Sequence, residues 1–509
     1  MNFNQNLFAI LRAAFFALIA VLYIAIPNAR PDFTRFNCND SESYLSLAWN
    51  LSHGRGYTRS LAEGIYIPHT TWPPGTPLLL LPAVELSGRT INWFAVKWTI
   101  CGIGLVGVIF SWFYLRKVTG NAFLADLGAM IIGLNPFYWD FSHQAMAELP
   151  LLVWMIGGLL LVDHLWANRE VRWYESMFAG FVCGLAMLIK GQGGGLIFAP
   201  IAYLWGPRKC LIRPRVGALM WLLFLLAFTI PQVTWMARNR TVPATGFDGI
   251  GRFRSILAIN PNDAESPLVD RGKFVERLNS NIRDYAIFRL PEQIIPGLWS
   301  PDALNWSGSG LCAVMLSIAL FTLAFFKVNP KVFPVVFATF PMVLLNIAYA
   351  FGGSPRFWLP ISVMLVIIII INAGPFLLLF TFKRYLMAVF TFVLLANLVV
   401  YIIWHEKHPF NEAGPWREFA ELCEELKTKP NLAPVGVFTP NPEAVQLMTG
   451  YAAPWGKSEL LYDYAIIDSS KYKMPPDGEI VISKPPWVFI SLPVPMTRKE
   501  ISQLIDRQS

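Results

Sequence analysis

Residues 40–86 read DSESYLSLAWNLSHGRGYTRSLAEGIYIPHTTWPPGTPLLLLPAVEL, and the reading of this stretch decides the fold. It opens on acids and hydroxyls and closes on a short apolar run, Thr76–Leu86, bracketed by proline. That run is too short to cross a bilayer, which takes roughly 20 residues, and reads as an interfacial or re-entrant helix. Full-length apolar runs flank the stretch, Phe8–Ile26 before it and Trp93–Leu115 after it. A polar segment hung between two spanning helices belongs to an integral membrane protein. Within it, Asp40 and Tyr44 stand one helical turn apart and share a face. Asp40 also suits the N-cap of that helix.

Outward from this segment the hydropathy pattern predicts further spans: Phe123–Tyr138, Leu149–Trp166, Met177–Leu188, Gly194–Trp205, Val216–Met236, Gly310–Phe326, Val332–Phe351, Phe357–Phe380 and Tyr385–Trp404. With the two flanking runs this makes about 11 transmembrane helices. The pair around Lys190 is interrupted by Gly191, Gly193, Gly194 and Gly195, the kind of broken segment that lines a cavity rather than lipid. Arg116, Lys117, Arg169, Arg172, Arg208, Lys209, Arg213, Arg215, Lys327, Lys331, Lys383 and Arg384 fall on one side, which the positive-inside rule makes cytoplasmic. Segments 27–92, 238–309 and 405–509 then lie outside. The N-terminal run has no small-x-small cleavage site and reads as a retained helix. Residues 1–404 form the membrane domain. Residues 405–509 regain charge and proline, with strand-like runs at Val435–Phe438, Ala465–Ile467 and Ile480–Ile482 and a helical period over Trp416–Lys427, and read as a small α/β domain.

Composition agrees. Of 509 residues, 55% are hydrophobic and 15% charged, with a mean hydropathy of +0.46, whereas soluble chains run near one quarter charged. The net charge of +8 sits in short loops, with no basic stripe among aromatics, so nucleic acid is not an expected partner. None of the six Cys has metal-ligand spacing. Cys38 and Cys423 both fall outside the membrane, which leaves a disulfide between them open. Asn39, Asn50, Asn239 and Asn305 begin N-x-Ser/Thr triplets, but the chain has a bacterial look and their glycosylation is not expected. No P-loop and no nucleotide-sugar Asp-x-Asp site is present, which suits a donor carried on lipid.

Four strings in order, Asp40 to Tyr44, Ala48-Trp49-Asn50-Leu51, Gly54-Arg55-Gly56-Tyr57 and Trp72-Pro73-Pro74-Gly75, resemble the first extracytoplasmic loop of GT-C fold polyprenyl-phosphate-dependent glycosyltransferases. The resemblance is to the bacterial branch with the protein O-mannosyltransferase-like enzymes and the lipid A aminoarabinose transferase. It extends loosely over the membrane region and not to residues 405–509. It implies that Asp40 is the catalytic carboxylate, as base on the acceptor or as a metal holder. A positioned carboxylate is what a weakly nucleophilic hydroxyl needs. The aminoarabinose transferase has an acid and a lysine before its paired prolines where this chain has Thr71 and Trp72, so its metal site does not carry over. A divalent metal stays open.

Glu148, in His143-Gln-Ala-Met-Ala-Glu148-Leu-Pro150, stands at the outer end of a span where relatives carry an acid before proline. It is assigned as an auxiliary acid that orients Asp40 or the acceptor, and it is equally suited to simple solvation. A departing lipid phosphate builds charge that needs fixed cations. Lys190 closes Gly184-Leu-Ala-Met-Leu-Ile-Lys190, Arg356 opens Arg356-Phe-Trp-Leu-Pro360, and Arg238 follows a span; each resembles a family string, and each also suits snorkelling to headgroups. Tyr44, His69, Trp72 and His143 complete the expected pocket. The bland readings are a loop histidine for His69 and an interface anchor for Trp72.

The expectation is therefore an α-helical multi-pass membrane protein of GT-C fold with a small C-terminal extracytoplasmic α/β domain. It is a hexosyl- or pentosyltransferase that moves one sugar, with inversion, from a polyprenyl-phosphate donor to a lipid, glycan or protein acceptor. The expected setting is the bacterial inner (plasma) membrane, with membrane lipids as partners and the active site facing the periplasm. Segments 238–309 and 405–509 are expected to help choose the acceptor. A flippase or transporter shares the spans and a cationic cavity, but the chain shows no repeated halves. A non-catalytic envelope polysaccharide assembly protein would keep the fold, and the Asp40 and Tyr44 pair weighs against it.

Overall fold

A computed structural model of the protein describes residues 3–25, 32, 40–62, 65–88, 90–167, 171–205, 214–242, 256–259, 266–290, 293, 322, 328–350, 355–379, 383–407, 416–428, 437–439, 442–449, 461–470, 479–497 and 501. The membrane region is built of helices. These are α1 (Phe3–Ile24), α2 (Asp40–Ser52), α3 (Gly75–Glu85), α4 (Trp93–Thr119), α5 (Ala122–Gly133), α6 (Pro136–Phe141), α7 (Glu148–Trp166), α8 (Trp173–Gly184), α9 (Ala186–Ile189), α10 (Ile201–Trp205) and α11 (Pro214–Thr241). They continue with α12 (Arg271–Arg283), α13 (Phe333–Ala348), α14 (Pro355–Leu377) and α15 (Lys383–Lys407). Among the described residues five helices are long and apolar enough to cross a membrane: α4, α7, α11, α13 and α14. The expected total of eleven is not reached among the described residues. The span expected at Gly310–Phe326 lies outside them apart from Thr322.

Local chemistry sets the element ends. Asn92 caps α4, its side chain accepting from the Ala95 amide. The helix stops at Gly120, whose φ of 70° is the left-handed region that glycine adopts freely. Arg116 and Lys117 in the last turn complement the helix dipole. The single span expected at Phe123–Tyr138 is two helices instead. Asn135 and Pro136 are the reason: the Asn135 side chain accepts from the Tyr138 amide at 2.9 Å, and Pro136 stands where a helix begins. The spans expected on either side of Lys190 are also remade. α8 and α9 stop at Lys190, whose backbone is extended (φ −157°, ψ 143°), and a 3-10 run, Gly191–Phe198, leads into α10.

The first outer segment folds onto the bundle. Residues Ser41–Asn50 of α2 are buried. After it comes an antiparallel hairpin, β1 (Thr58–Ala62) and β2 (Ile65–Pro68), which the sequence reading missed. The short apolar run forms α3, as expected.

The C-terminal unit is α/β. α16 (Trp416–Lys427) and α17 (Pro442–Thr449) pack with β3 (Val437–Phe438), β4 (Leu461–Asp468), β5 (Glu479–Lys484) and β6 (Trp487–Thr497), in the sheet order β3-β4-β6-β5. β3 is parallel to β4 and the other pairs are antiparallel. β6 was not expected, since Pro493 and Pro495 read against a strand. Both prolines fall between Ser491 and Met496, where the ladder to β4 is interrupted. Cys423 is a free thiol in the core formed by Phe419, Leu422, Leu426, Trp487 and Phe489, so the disulfide left open above is not formed. Its partner in that reading, Cys38, lies outside the described residues. Burial raises the Cys423 thiol above its ordinary value. The unit is tied to the membrane region by a bond from the Ile91 amide to the Leu447 carbonyl, 3.0 Å.

Candidate active site

Four element ends meet at one end of the bundle: the starts of α2, α7 and α14 and the end of α9. They bring Asp40, Glu148, Arg356 and Lys190 together. Arg356 Nη1 donates to Asp40 Oδ2 at 2.8 Å. Lys190 Nζ donates to Glu148 Oε1 at 2.6 Å, and Arg356 Nε lies 3.9 Å from the same oxygen. Both cations lie over the Phe357 ring, Lys190 at 4.4 Å and Arg356 at 4.7 Å from its centroid. Side-chain exposure separates the four: 33% for Asp40, 26% for Arg356 and 21% for Lys190, against 2% for Glu148. Asp40, Arg356 and Lys190 are therefore accessible from outside the protein. Glu148 sits behind the two cations. Two like charges aimed at one point repel, and a carboxylate between them offsets that repulsion. Glu148 thus bonds Lys190 and pairs with Arg356, which in turn holds Asp40.

Tyr44 and Trp72 stand beside the cluster, their ring centroids 5.5 Å apart. Burial, with the Asp40 and Glu148 carboxylates nearby, raises the Tyr44 phenol well above its ordinary value, so it stays protonated. Arg59 lies 4.9 Å from the Trp72 ring. The hairpin end is fixed by Tyr57, whose hydroxyl donates to the carbonyls of Trp72 (2.9 Å) and Pro73 (3.1 Å). Gly75 closes the Trp-Pro-Pro-Gly string because α3 starts directly on α9. A Cβ there would lie 2.5 Å from the Leu188 carbonyl oxygen, two residues before Lys190. This string thus brings the first outer segment against the backbone that carries the lysine.

Three expected site residues make hydrogen bonds to the surrounding backbone. His69 is buried, and its Nε2 accepts from the Trp72 amide at 2.8 Å. Arg238 donates to the carbonyls of His69 and Tyr57 and to Asn239 Oδ1, and Asn239 donates to the Thr70 carbonyl at 3.0 Å. This pair clamps α11 to the hairpin, with the Arg238 guanidinium donating to backbone oxygens there. His143 is buried between the carbonyls of Trp139 (2.7 Å) and Tyr23 (3.2 Å).

The sequence reading also missed a second charged pair. Asp32 and Lys97 form an ion pair with side chains 4% and 3% exposed. Asp32 also accepts from the Ser41 hydroxyl and, at 2.8 Å, from the Ala145 amide. Lys97 donates to the His143 carbonyl at 2.6 Å. The pair fixes the residue after Asp40 and the loop before Glu148. The available signal was Lys97 itself, one lysine inside an apolar span. Among the described residues no three of His, Cys, Asp and Glu converge, and Asp40 and Glu148 face cations. Among the described residues these donors do not assemble a metal site.

Residues 72–235 match the family model described as dolichyl-phosphate-mannose-protein mannosyltransferase. The match takes in Glu148 and Lys190 and leaves Asp40 and Arg356 outside it. Among solved structures, ArnT from Cupriavidus metallidurans bound to undecaprenyl phosphate is similar, with a TM-score of 0.56 and 13% identity over 95% of this chain and 98% of that one. Its apo state gives a TM-score of 0.56 and 13% identity over 96% and 98%. The oligosaccharyltransferase of Archaeoglobus fulgidus gives 0.47 and 14% over 87% of this chain and 62% of that one. No curated protein matches in sequence. The fold is that of ArnT, the GT-C fold. With the family match over residues 72–235, it agrees with the GT-C fold expected from the first outer segment.

Proposed function

We propose that the protein transfers one sugar from a polyprenyl-phosphate donor to an acceptor hydroxyl, with inversion at the anomeric carbon. The donor phosphate takes Arg356 and Lys190. Asp40, relieved of Arg356, faces the acceptor. The acceptor oxygen attacks the anomeric carbon from the side opposite the phosphate and its proton passes to Asp40. The bond from the anomeric carbon to the phosphate oxygen breaks, and the electron pair leaves on the polyprenyl phosphate. Charge-assisted bonds from the two cations meet the charge that develops there. Glu148 keeps the cations together, and Tyr44 and Trp72 wall the pocket.

The observation that carries this reading is the meeting of two accessible cations with one accessible carboxylate, from three separate elements, at one point. The acceptor is a lipid, glycan or protein. Arg116, Lys117, Arg172 and Lys331 lie at the ends of the helices away from the cluster, so by the positive-inside rule the site opens to the outer, periplasmic face of a bacterial inner membrane. The C-terminal unit stands on the site's side of the bundle, suited to presenting the acceptor.

The test is sugar transfer by the purified protein in lipid vesicles, offered a panel of polyprenyl-phosphate sugars and an extract of envelope acceptors. Transfer from one donor with inverted configuration is the expected result. Transfer from a nucleotide sugar with no lipid phosphate present would overturn the proposal.

A further inference from the structure

We propose that Asn346 and Gln192 are positioning residues for the two cations, setting the separation of Lys190 from Arg356. The inference rests on the reading that these cations hold the donor phosphate. Gln192 follows Lys190 by two residues, and its Nε2 donates to Asn346 Oδ1. Asn346 Nδ2 donates to the Phe357 carbonyl at 2.7 Å, one residue past Arg356. Both side chains are buried. One amide relay thus joins the backbone of the lysine to that of the arginine.

Each end of the relay needs an outside hold. On the lysine side the chain leaves α9 extended and enters a 3-10 run, whose hydrogen-bond geometry is poorer than that of an α-helix. That run lies directly on α13: a Cβ at Gly195 would stand 2.0 Å from the Ala338 carbonyl oxygen. On the arginine side, Pro360 lies inside α14. It has no N–H for the carbonyl of Arg356, so the first turn of the helix lacks that bond. Asn346 supplies a donor to the next carbonyl. The platform carrying Asn346 is itself anchored, since Asn281 of α12 donates to the carbonyls of Ile347 and Tyr349, both at 2.9 Å.

Stability alone does not call for this arrangement. Gln192 Oε1 is buried without a hydrogen-bond partner among the described residues. A buried amide left partly unpaired is costly, and apolar groups of the same shape would serve a packed wall as well. What the amides add is register: a directional relay admits one relative position of the two elements, where apolar packing admits several.

The experiment measures binding of undecaprenyl phosphate to the full-length protein in nanodiscs, with unfolding temperature followed in parallel. Asn346→Leu is expected to weaken binding about tenfold, the effect of one misplaced bond to a charged group, and to lower the unfolding temperature by a few degrees as the buried Gln192 amide loses its partner, with binding measured below that temperature. In an Arg356→Ala background the same change is expected to cost no more than about twofold further, because its effect passes through the arginine. Gln192→Leu, which leaves the bond to Phe357 in place, is expected to show the same non-additivity with Lys190→Ala, and serves if Asn346→Leu does not fold. Wild-type binding by Asn346→Leu, or losses that simply add to that of Arg356→Ala, would overturn the inference and leave the phosphate reading intact. Wild-type binding by Arg356→Ala would remove both.

Discussion

Two charged clusters stand at the same end of the bundle and differ in what surrounds them. Asp32 and Lys97 are closed in, and their partners are Ser41, Ala145, His143 and each other. Asp40, Arg356 and Lys190 use the same kinds of groups, yet each keeps between a fifth and a third of its side chain exposed. Residue type does not distinguish the clusters; access does. The closed pair holds the start of α2 and the loop before α7 in place. The open cluster stands on that support and keeps its charged ends accessible.

The comparison breaks first if the two clusters respond alike to the loss of a charge. Asp32→Asn uncovers a buried lysine and is expected to cost about 3–5 kcal/mol of stability. Asp40→Asn, partly exposed, is expected to stay within about 0.5 kcal/mol of the wild type. Thermal unfolding in lipid checks both, and equal losses would end the distinction. Next in size, Arg356→Ala is expected to raise the donor KM about ten- to a hundredfold, the worth of a hydrogen bond to a charged group. Trp358→Phe, next to it and stacked on Tyr285 with centroids 3.7 Å apart, should move KM less than about twofold. Equal donor titrations for the two would remove Arg356 from the open cluster. The smallest effect concerns Arg238. Arg238→Ala should leave donor KM unchanged and lower stability by about 1 kcal/mol through the hairpin clamp. A KM change as large as that of Arg356→Ala would put Arg238 back among the phosphate cations.

Much of the fold was legible because lipid leaves few alternatives. Apolar runs long enough to span become helices, and the described part of each expected span is largely helical. The breaks were harder. Asn135-Pro136 splits one span through a cap whose strength hydropathy does not weigh, and the glycines after Lys190 announced an interruption without giving its shape. In the site, Asp40 was picked out by the first-loop strings and Glu148, Lys190 and Arg356 by span-end places and family-like strings, but hydropathy alone does not tell Arg356 from Arg238. Both are arginines at span ends. What separates them is tertiary: Arg356 reaches a carboxylate 316 residues away in sequence, while Arg238 turns to the hairpin carbonyls. The hairpin itself was missed because Arg59, Glu63 and Gly64 interrupt its alternation. Asn346 and Gln192 carry no charge or motif and become visible only when the elements that hold them are side by side.

The most direct test of the central claim is single-turnover sugar transfer from the accepted polyprenyl-phosphate sugar by Asp40→Asn beside the wild type, both in vesicles, with donor binding measured on the same preparations. Asp40 as the base predicts donor binding within about threefold of the wild type and a transfer rate lower by about 100- to 10,000-fold. Transfer at the wild-type rate by a folded, donor-binding Asp40→Asn would contradict it.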